Sequence, residues 1–159
     1  MSKKLSRMQS PAKLEDFIAS HLPLVSAMQA SIHSYDGRDF CLQAPLALNH
    51  NDKGTAFGGS LYNLCITNAI GLGFLKSYEQ GLAPNLVVAK AEIEYRAPVT
   101  DEILIAHCKS PSDEDWTAFF EEFKTRGKAK ISLSSSVYQG DTIACQFNGL
   151  FAIIGAEDL

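Results

Sequence analysis

Between residue 60 and about residue 78 the chain places Leu61, Leu64, Ile66, Ile70, Leu72, Phe74 and Leu75, apolar residues that occupy nearly the whole circumference of a helix. A helix without a polar face cannot rest on a surface; other elements must wrap it on most sides. It is not a membrane span either. Asn63, Thr67 and Asn68 interrupt it, and residues 61–75 fall short of the ~20 apolar residues that a bilayer demands. The fold therefore has to be built around this segment. Gly71 and Gly73 lower its helix propensity, which points to close approach by a neighbouring backbone, and Gly81 with Pro84 closes it.

The flanking sequence supplies the wrapping. Ser10-Pro11 reads as a helix start with Ser as N-cap, followed by Leu14, Phe17, Ile18 and Leu22 at helical spacing until Pro23. Residues 25–35 and 38–48 suit two strands, with Asp36-Gly37 as a two-residue hairpin turn. Residues 86–99 alternate with period two. Val87, Ala89, Ala91, Ile93 and Tyr95 fall on one face, and Val88, Lys90, Glu92, Glu94 and Arg96 on the other. Residues 102–108 read as a further strand. Ser112 ahead of Asp113, Glu114 and Asp115 is a capped helix start, and Trp116, Phe119, Phe120 and Phe123 form an apolar stripe that ends at Gly127. Residues 129–138 and 142–154 finish the chain as strands around Gln139-Gly140-Asp141. This order predicts an α+β architecture, an antiparallel sheet curled around one long central helix. With 159 residues and no repeat or linker, it fits a single domain spanning 1–159, with residues 1–10 as a flexible tail.

Composition removes several function classes. A net charge of −4 gives no electrostatic case for nucleic acid. Basic residues cluster only at Lys3, Lys4 and Arg7, a solvated tail, and at Lys124, Arg126, Lys128 and Lys130, which fit a solvated helix end better than a phosphate site. Cys41, Cys65, Cys108 and Cys145 are widely spaced among apolar neighbours with no C-x-x-C pair. They read as four reduced, mostly buried thiols, so no metal and no cofactor is expected. The start, MSKKLSRMQS, lacks the apolar stretch of a signal peptide, and a cytoplasmic protein with no membrane partner is the expectation.

Directly ahead of the central helix stands a polar, glycine-rich elbow, NHNDKGTAFGGS, residues 49–60. A helix N-terminus leaves about four backbone N–H groups unpaired and carries partial positive charge. If the helix begins near residues 57–60, the amides around Gly58 and Gly59 point out of its mouth. The absent Cβ atoms let a carbonyl oxygen approach, and such amides suit an acyl carbonyl and the oxyanion formed on attack. Asn49, Asn51 and Asp52 also suit local turn bonding, and His50 is either a base titrating near neutrality or an exposed loop side chain. Ser60 reads as a helix cap, since G-x-S-x-G is absent, and G-T-A-F-G-G-S holds no Lys and so fails the phosphate-loop pattern. Cys65 reads as core. Asn68 needs a buried partner, which a water or an acyl group at a subunit interface would supply.

The order N-x-x-G-T-x-F-G-G-S from Asn51 to Ser60 carries a resemblance, supported by L-P-L at residues 22–24 and E-Y-R-A-P-V at residues 94–99. Over about residues 14–154 the chain resembles the hotdog fold of acyl-thioester enzymes. Within that fold it is similar to the thioesterases of the YiiD carboxy-terminal-domain type, in which Phe stands where His stands elsewhere. The resemblance implies an acyl thioesterase acting with water on an acyl-CoA or acyl-carrier-protein thioester. Asn51 would orient the water or thioester, and Gly59 would contribute the oxyanion amide. Asn49, Thr55, Phe57, Gly58, Ser60 and Asn68 would bind substrate. It also implies a homodimer or dimer of dimers, paired through the 86–99 strand, with the acyl pocket between subunits. The related H-G-G branch takes an acid from the neighbouring subunit's central helix. Here that turn reads Cys65-Ile66-Thr67-Asn68 and holds none, leaving Asp52, His50 or a Thr67/Asn68 pair to position water. The same absence keeps a non-hydrolytic acyl-thioester-binding module open. A dehydratase would want a His where Phe57 stands.

Overall fold

The computed structural model describes residues 3–159, and its centre is the helix α3, Gly58–Glu79, with Phe57 as N-cap. Leu64, Cys65, Ala69, Leu72 and Leu75 of this helix are 1% exposed or less, as a helix apolar on all sides requires. Around it curls one antiparallel sheet of six strands. These are β1 (Ser31–Tyr35), β2 (Phe40–Pro45), β3 (Leu82–Tyr95), β4 (Ile103–Cys108), β5 (Ala129–Gln139) and β6 (Thr142–Asp158). They run in the order β1-β2-β4-β5-β6-β3. Phe40, Leu42, Leu104, Leu133, Phe147 and Phe151 are fully buried side chains of this core. This is the hotdog fold. Among the described residues three further α-helices complete it, α1 (Ser10–His21), α2 (Pro23–Ala27) and α4 (Asp113–Arg126), with a 3-10 turn at Leu46–Leu48.

Local chemistry explains most of the boundaries. In α4 the Ser112 hydroxyl accepts from the Asp115 amide and the Asp115 carboxylate accepts from Ser112, a complete capping box. Trp116, Phe119 and Phe120 bury the stripe, and Gly127 ends the helix in the left-handed region at φ 74°. Tyr35 and Phe40 pair directly, so the β1–β2 loop has four residues rather than two. The Asp36 carboxylate accepts from the Arg38 and Asp39 amides, which widens the turn.

Other expectations are corrected. Ser10 lies inside α1 behind Gln9, so Pro11 sets the start without a serine cap. Residues 25–27 are helical because Pro23 does more than end α1: at the first turn of α2 its fixed φ starts a new helix. The close approach at Gly71 comes from a side chain, not a backbone: a Cβ there would stand 2.8 Å from the Phe40 ring. β3 begins at Leu82 and runs through Pro84, which an edge strand tolerates. Its alternation breaks at a bulge between Val88 and Lys90, so Leu86 packs inward before the bulge and Ala91 and Ile93 after it. Of the residues expected as a tail, Lys3 donates its amide to the Leu159 carbonyl and Leu5 to that of Tyr78, at 3.4 and 3.0 Å. Met1 and Ser2 lie outside the described residues. No helix among the described residues is long and apolar enough to cross a membrane.

β6 shows how tightly this core is filled. Phe147, Gly149 and Phe151 share its inward face, and a Cβ on Gly149 would lie 2.6 Å from the Phe151 ring and 2.8 Å from that of Phe147. Both rings are fully buried and have no room to swing away. Gly149→Ala is expected to lower the unfolding free energy by about 2 kcal/mol, the usual scale of core overpacking. A lowered urea midpoint with unchanged slope is the readout; an unchanged midpoint would contradict the packing described.

Candidate functional site

The elbow ahead of α3 is a small hairpin built by its own side chains. The Asn51 amide donates to the Thr55 carbonyl at 2.8 Å. The Asn51 carboxamide oxygen accepts from the backbone of Lys53 and Thr55 at 2.9 and 3.1 Å, and its Nδ2 donates to Thr55 Oγ1 at 2.8 Å. Gly54 takes the left-handed φ of 78° that closes the turn. One rung nearer the helix, His50 pairs with Ala56, and one rung nearer still the Phe57 amide donates to the Asn49 carbonyl at 2.7 Å. Asn49 is 2% exposed, and its Nδ2 donates to the carbonyls of Met28 and Pro45. Ala56 is tied to the Val99 carbonyl at 2.8 Å. Asn49 anchors the hairpin below, and Asn51 shapes its tip.

This frame delivers a bare helix mouth. Phe57, in extended conformation at the N-cap, has no side-chain acceptor to offer, and α3 carries no acid in its first turn. The first helical bond runs from the Leu61 amide to the Phe57 carbonyl at 3.0 Å. Among the described residues, the amides of Gly58, Gly59 and Ser60 have no acceptor in the chain. Ser60, expected as the cap, stands inside the first turn and caps nothing, because the helix starts two residues before it. The two glycines face different rings. A Cβ on Gly59 would meet the Phe57 ring at 2.6 Å, and one on Gly58 would sit 3.5 Å from the ring of Tyr95. The Tyr95 hydroxyl donates to the Gly58 carbonyl at 2.8 Å. Partial burial pushes the Tyr95 phenol up, with Cys145, Cys65 and Tyr62 adding to the shift, so it holds its proton and remains a donor.

Of the expected site residues, Phe57, Gly58, Gly59 and Ser60 come together at the mouth, with Asn49 beneath them and His50 one rung away. Asn51 and Thr55 stand two rungs off and bond each other. Asp52 sits at the hairpin tip, exposed and paired with Lys53 at 3.1 Å, three rungs or ~10 Å of strand from Phe57. Asn68 is elsewhere, ten residues or ~15 Å along the helix. It is fully buried, its Nδ2 donates to the Phe40 carbonyl at 2.9 Å, and its Oδ1 accepts from the Ser135 hydroxyl at 2.7 Å. The partner it needed is supplied inside the chain. Tyr95 is the residue at the mouth that the strand pattern missed, because alternation placed it on the apolar face of β3. Beside the hairpin lies a groove of about 510 Å³ lined by Leu46, Ala47, His50, Gly54, Glu102 and Ile103. Among the described residues no three His, Cys, Asp or Glu side chains are placed to hold a metal ion.

Comparison with known proteins places this geometry. Residues 11–155 match the family model described as "Putative thioesterase (yiiD_Cterm)". A protein of unknown function from Chlorobaculum tepidum TLS is similar in structure, with a TM-score of 0.91 and 39% identity over 96% of this chain and 98% of that one. A structure named as a putative thioesterase from Shewanella oneidensis matches at TM-score 0.80 and 27% identity, covering 91% of this chain and 96% of that one. A Pseudomonas aeruginosa protein described as a probable thioesterase shares the fold at TM-score 0.74 and 17% identity, over 99% and 100% of the two chains. The chain belongs to this yiiD_Cterm thioesterase family.

The buried bonds of Asn68 generate a test of its role. Asn68→Ala strips the Phe40 carbonyl and the Ser135 hydroxyl of a partner and leaves a small cavity, and is expected to reduce stability by about 3 kcal/mol. Denaturant unfolding measures it. Unchanged stability with weakened substrate binding would return Asn68 to the substrate side.

Proposed function

We propose that this chain is an acyl thioesterase that hydrolyses an acyl-CoA or acyl-carrier-protein thioester at the mouth of α3. Family membership supports the thioester substrate, and one observation carries the rest: three unpaired amides at an uncapped, acid-free helix start. The thioester carbonyl oxygen docks on the Gly58 and Gly59 amides, which stabilise the oxyanion as water adds to the carbonyl carbon. Collapse of that adduct releases the acid and the thiol. Asn51 orients the water or thioester through the Nδ2 hydrogen that its loop bonds leave over. Between the two candidate bases, the rung positions favour His50 over Asp52. The adjoining groove of about 510 Å³, with Leu46, Ala47 and Ile103 in its lining, fits an apolar acyl or pantetheine arm. Four free cysteines fit a reducing compartment such as the cytoplasm.

A second reading is favoured by the turn Cys65-Ile66-Thr67-Asn68, which holds no carboxylate. Without a base, the same mouth would bind acyl thioesters and not cleave them. The purified protein offered acyl-CoA of several chain lengths, with free thiol as readout, separates the two. Hydrolysis is expected, with His50→Gln the severe change and Asp52→Asn mild. Gly59→Val drives a branched Cβ into the Phe57 ring position and the carbonyl's path, and is expected to lower kcat at least a hundredfold, the scale of one lost oxyanion donor. Binding without turnover in the parent would establish the second reading. Parent-like turnover in Gly59→Val would show that the mouth is only a helix start.

Assembly belongs to the same proposal. β3 is 14 residues long and pairs with β6 on one side only, with Val87 and Val88 exposed. A long free edge invites pairing, and a two-fold dimer closes it. The protein is expected to be a homodimer, or a dimer of dimers, joined along β3. Light scattering at micromolar concentration checks this, and a clean monomer would contradict it.

A further inference from the structure

The Tyr95 hydroxyl reaches one particular peptide group. Gly58 C=O and Gly59 N–H belong to the same planar amide, so a donor on the carbonyl acts on the N–H across the C–N bond. A helix carbonyl has a second lone pair beside the one that faces its own i+4 amide, and Tyr95 Oη donates to the Gly58 oxygen at 2.8 Å. We infer that Tyr95 is a positioning residue that polarises and aims the Gly58–Gly59 peptide, making the Gly59 N–H the dominant donor to the thioester carbonyl. The inference rests on the reading of the α3 mouth proposed above.

Three features of the structure support it. First, Tyr95 ends β3, and the Arg96 and Ala97 amides that follow it donate to the Ala144 carbonyl, so the hydroxyl is aimed from a fixed strand end. Second, the bond is not needed to satisfy a buried group. Tyr95 is 51% exposed, and water could solvate both partners if they parted. Third, the ring lies 3.5 Å from where a Gly58 Cβ would stand, ordinary van der Waals distance, so the phenol packs directly over the peptide it bonds. A Cβ at Gly59, by contrast, would stand 2.6 Å from the Phe57 ring. Hydrogen bonds in series strengthen one another, and the unpaired Gly59 N–H is the free end of this chain.

Tyr95→Phe keeps the ring against Gly58 and removes only the donor; Tyr95→Leu removes both. With glycines labelled in nitrogen and carbonyl carbon, the Gly59 amide proton and Gly58 carbonyl carbon resonances should move upfield in Tyr95→Phe, while the Ser60 and Leu61 amides move less. In thioester hydrolysis, kcat should fall about fivefold in both variants with KM within twofold, a fraction of what losing the oxyanion amide itself would do. A packing role predicts instead that Phe behaves like the parent and only Leu is impaired; that result, or unmoved Gly58 and Gly59 resonances, overturns the inference. A parent that cleaves no thioester would sink the hydrolase reading, and the resonances would still decide whether Tyr95 holds this peptide.

Discussion

A helix that is apolar around its whole circumference must be enclosed, and every larger feature of this molecule follows from enclosing α3. Six antiparallel strands do so by curling, and the side chains that meet the helix are large: Phe40, Phe147 and Phe151 are all fully buried. Glycines mark the places where the fit is closest. Gly71 receives the edge of Phe40 and Gly149 lies under two phenyl rings, so neither has space for a methyl group. A fully buried carboxamide in the helix, that of Asn68, is matched from two sides by a β2 carbonyl and a β5 hydroxyl. It ties the helix to both halves of the sheet, and with it fixes the rotation of α3 about its axis. The direction in which the helix mouth faces is set by that rotation.

The two longer helices that follow the β1–β2 hairpin start in opposite ways. α4 begins with a full capping box and three acids, everything that favours a free-standing N-terminus. α3 begins with Phe57, Gly58 and Gly59, without cap or acid. A Ser, Thr, Asn or Asp at the N-cap of α3 would stabilise the helix by about 1 kcal/mol. The surrounding hairpin is well supplied with such residues, yet Asn49 and Asn51 are turned to holding the loop. Neither side chain caps the mouth. The amides stay open while the loop that frames them is held by its own hydrogen bonds, an arrangement that suits the proposed oxyanion.

Much of this was legible in the sequence, because periodicity reports burial directly. The apolar run of α3, the stripe and caps of α4 and the strands at residues 129–138 and 142–154 all follow from patterns of 3.6 or 2. What escaped detection depended on contacts that periodicity does not encode. Pro23 marks an end in the sequence pattern and is also a beginning, since its fixed φ starts α2. The bulge after Val88 puts Leu86 rather than Val87 inward in the first half of β3, and an alternating pattern contains no sign of it. Tyr95 shares the face of Ala91 and Ile93, as alternation has it, but its hydrogen bond to the Gly58 carbonyl is a contact that periodicity does not encode. Asn51 shows the ambiguity of loop asparagines: its loop bonds account for its presence, and its leftover Nδ2 hydrogen is a matter of geometry alone.

The absent acid also bears on the chemistry. A bare helix start is positive, and an oxyanion formed there is stabilised in proportion to how little negative charge lies nearby. A carboxylate base beside the mouth would take the proton from water but, until protonated, would oppose the charge forming on the carbonyl oxygen. A neutral imidazole takes the proton and becomes positive, so its charge change assists the oxyanion. In a site without the helix acid, a base of the His50 kind therefore suits this mouth better than one of the Asp52 kind. The ion pair between Asp52 and Lys53 points the same way, since that carboxylate already has a cation beside it at the exposed tip of the hairpin. In the proposed hydrolase, electrostatics and rung geometry both favour the imidazole, and Gly58, Gly59 and Tyr95 would supply the fixed dipoles against which it works.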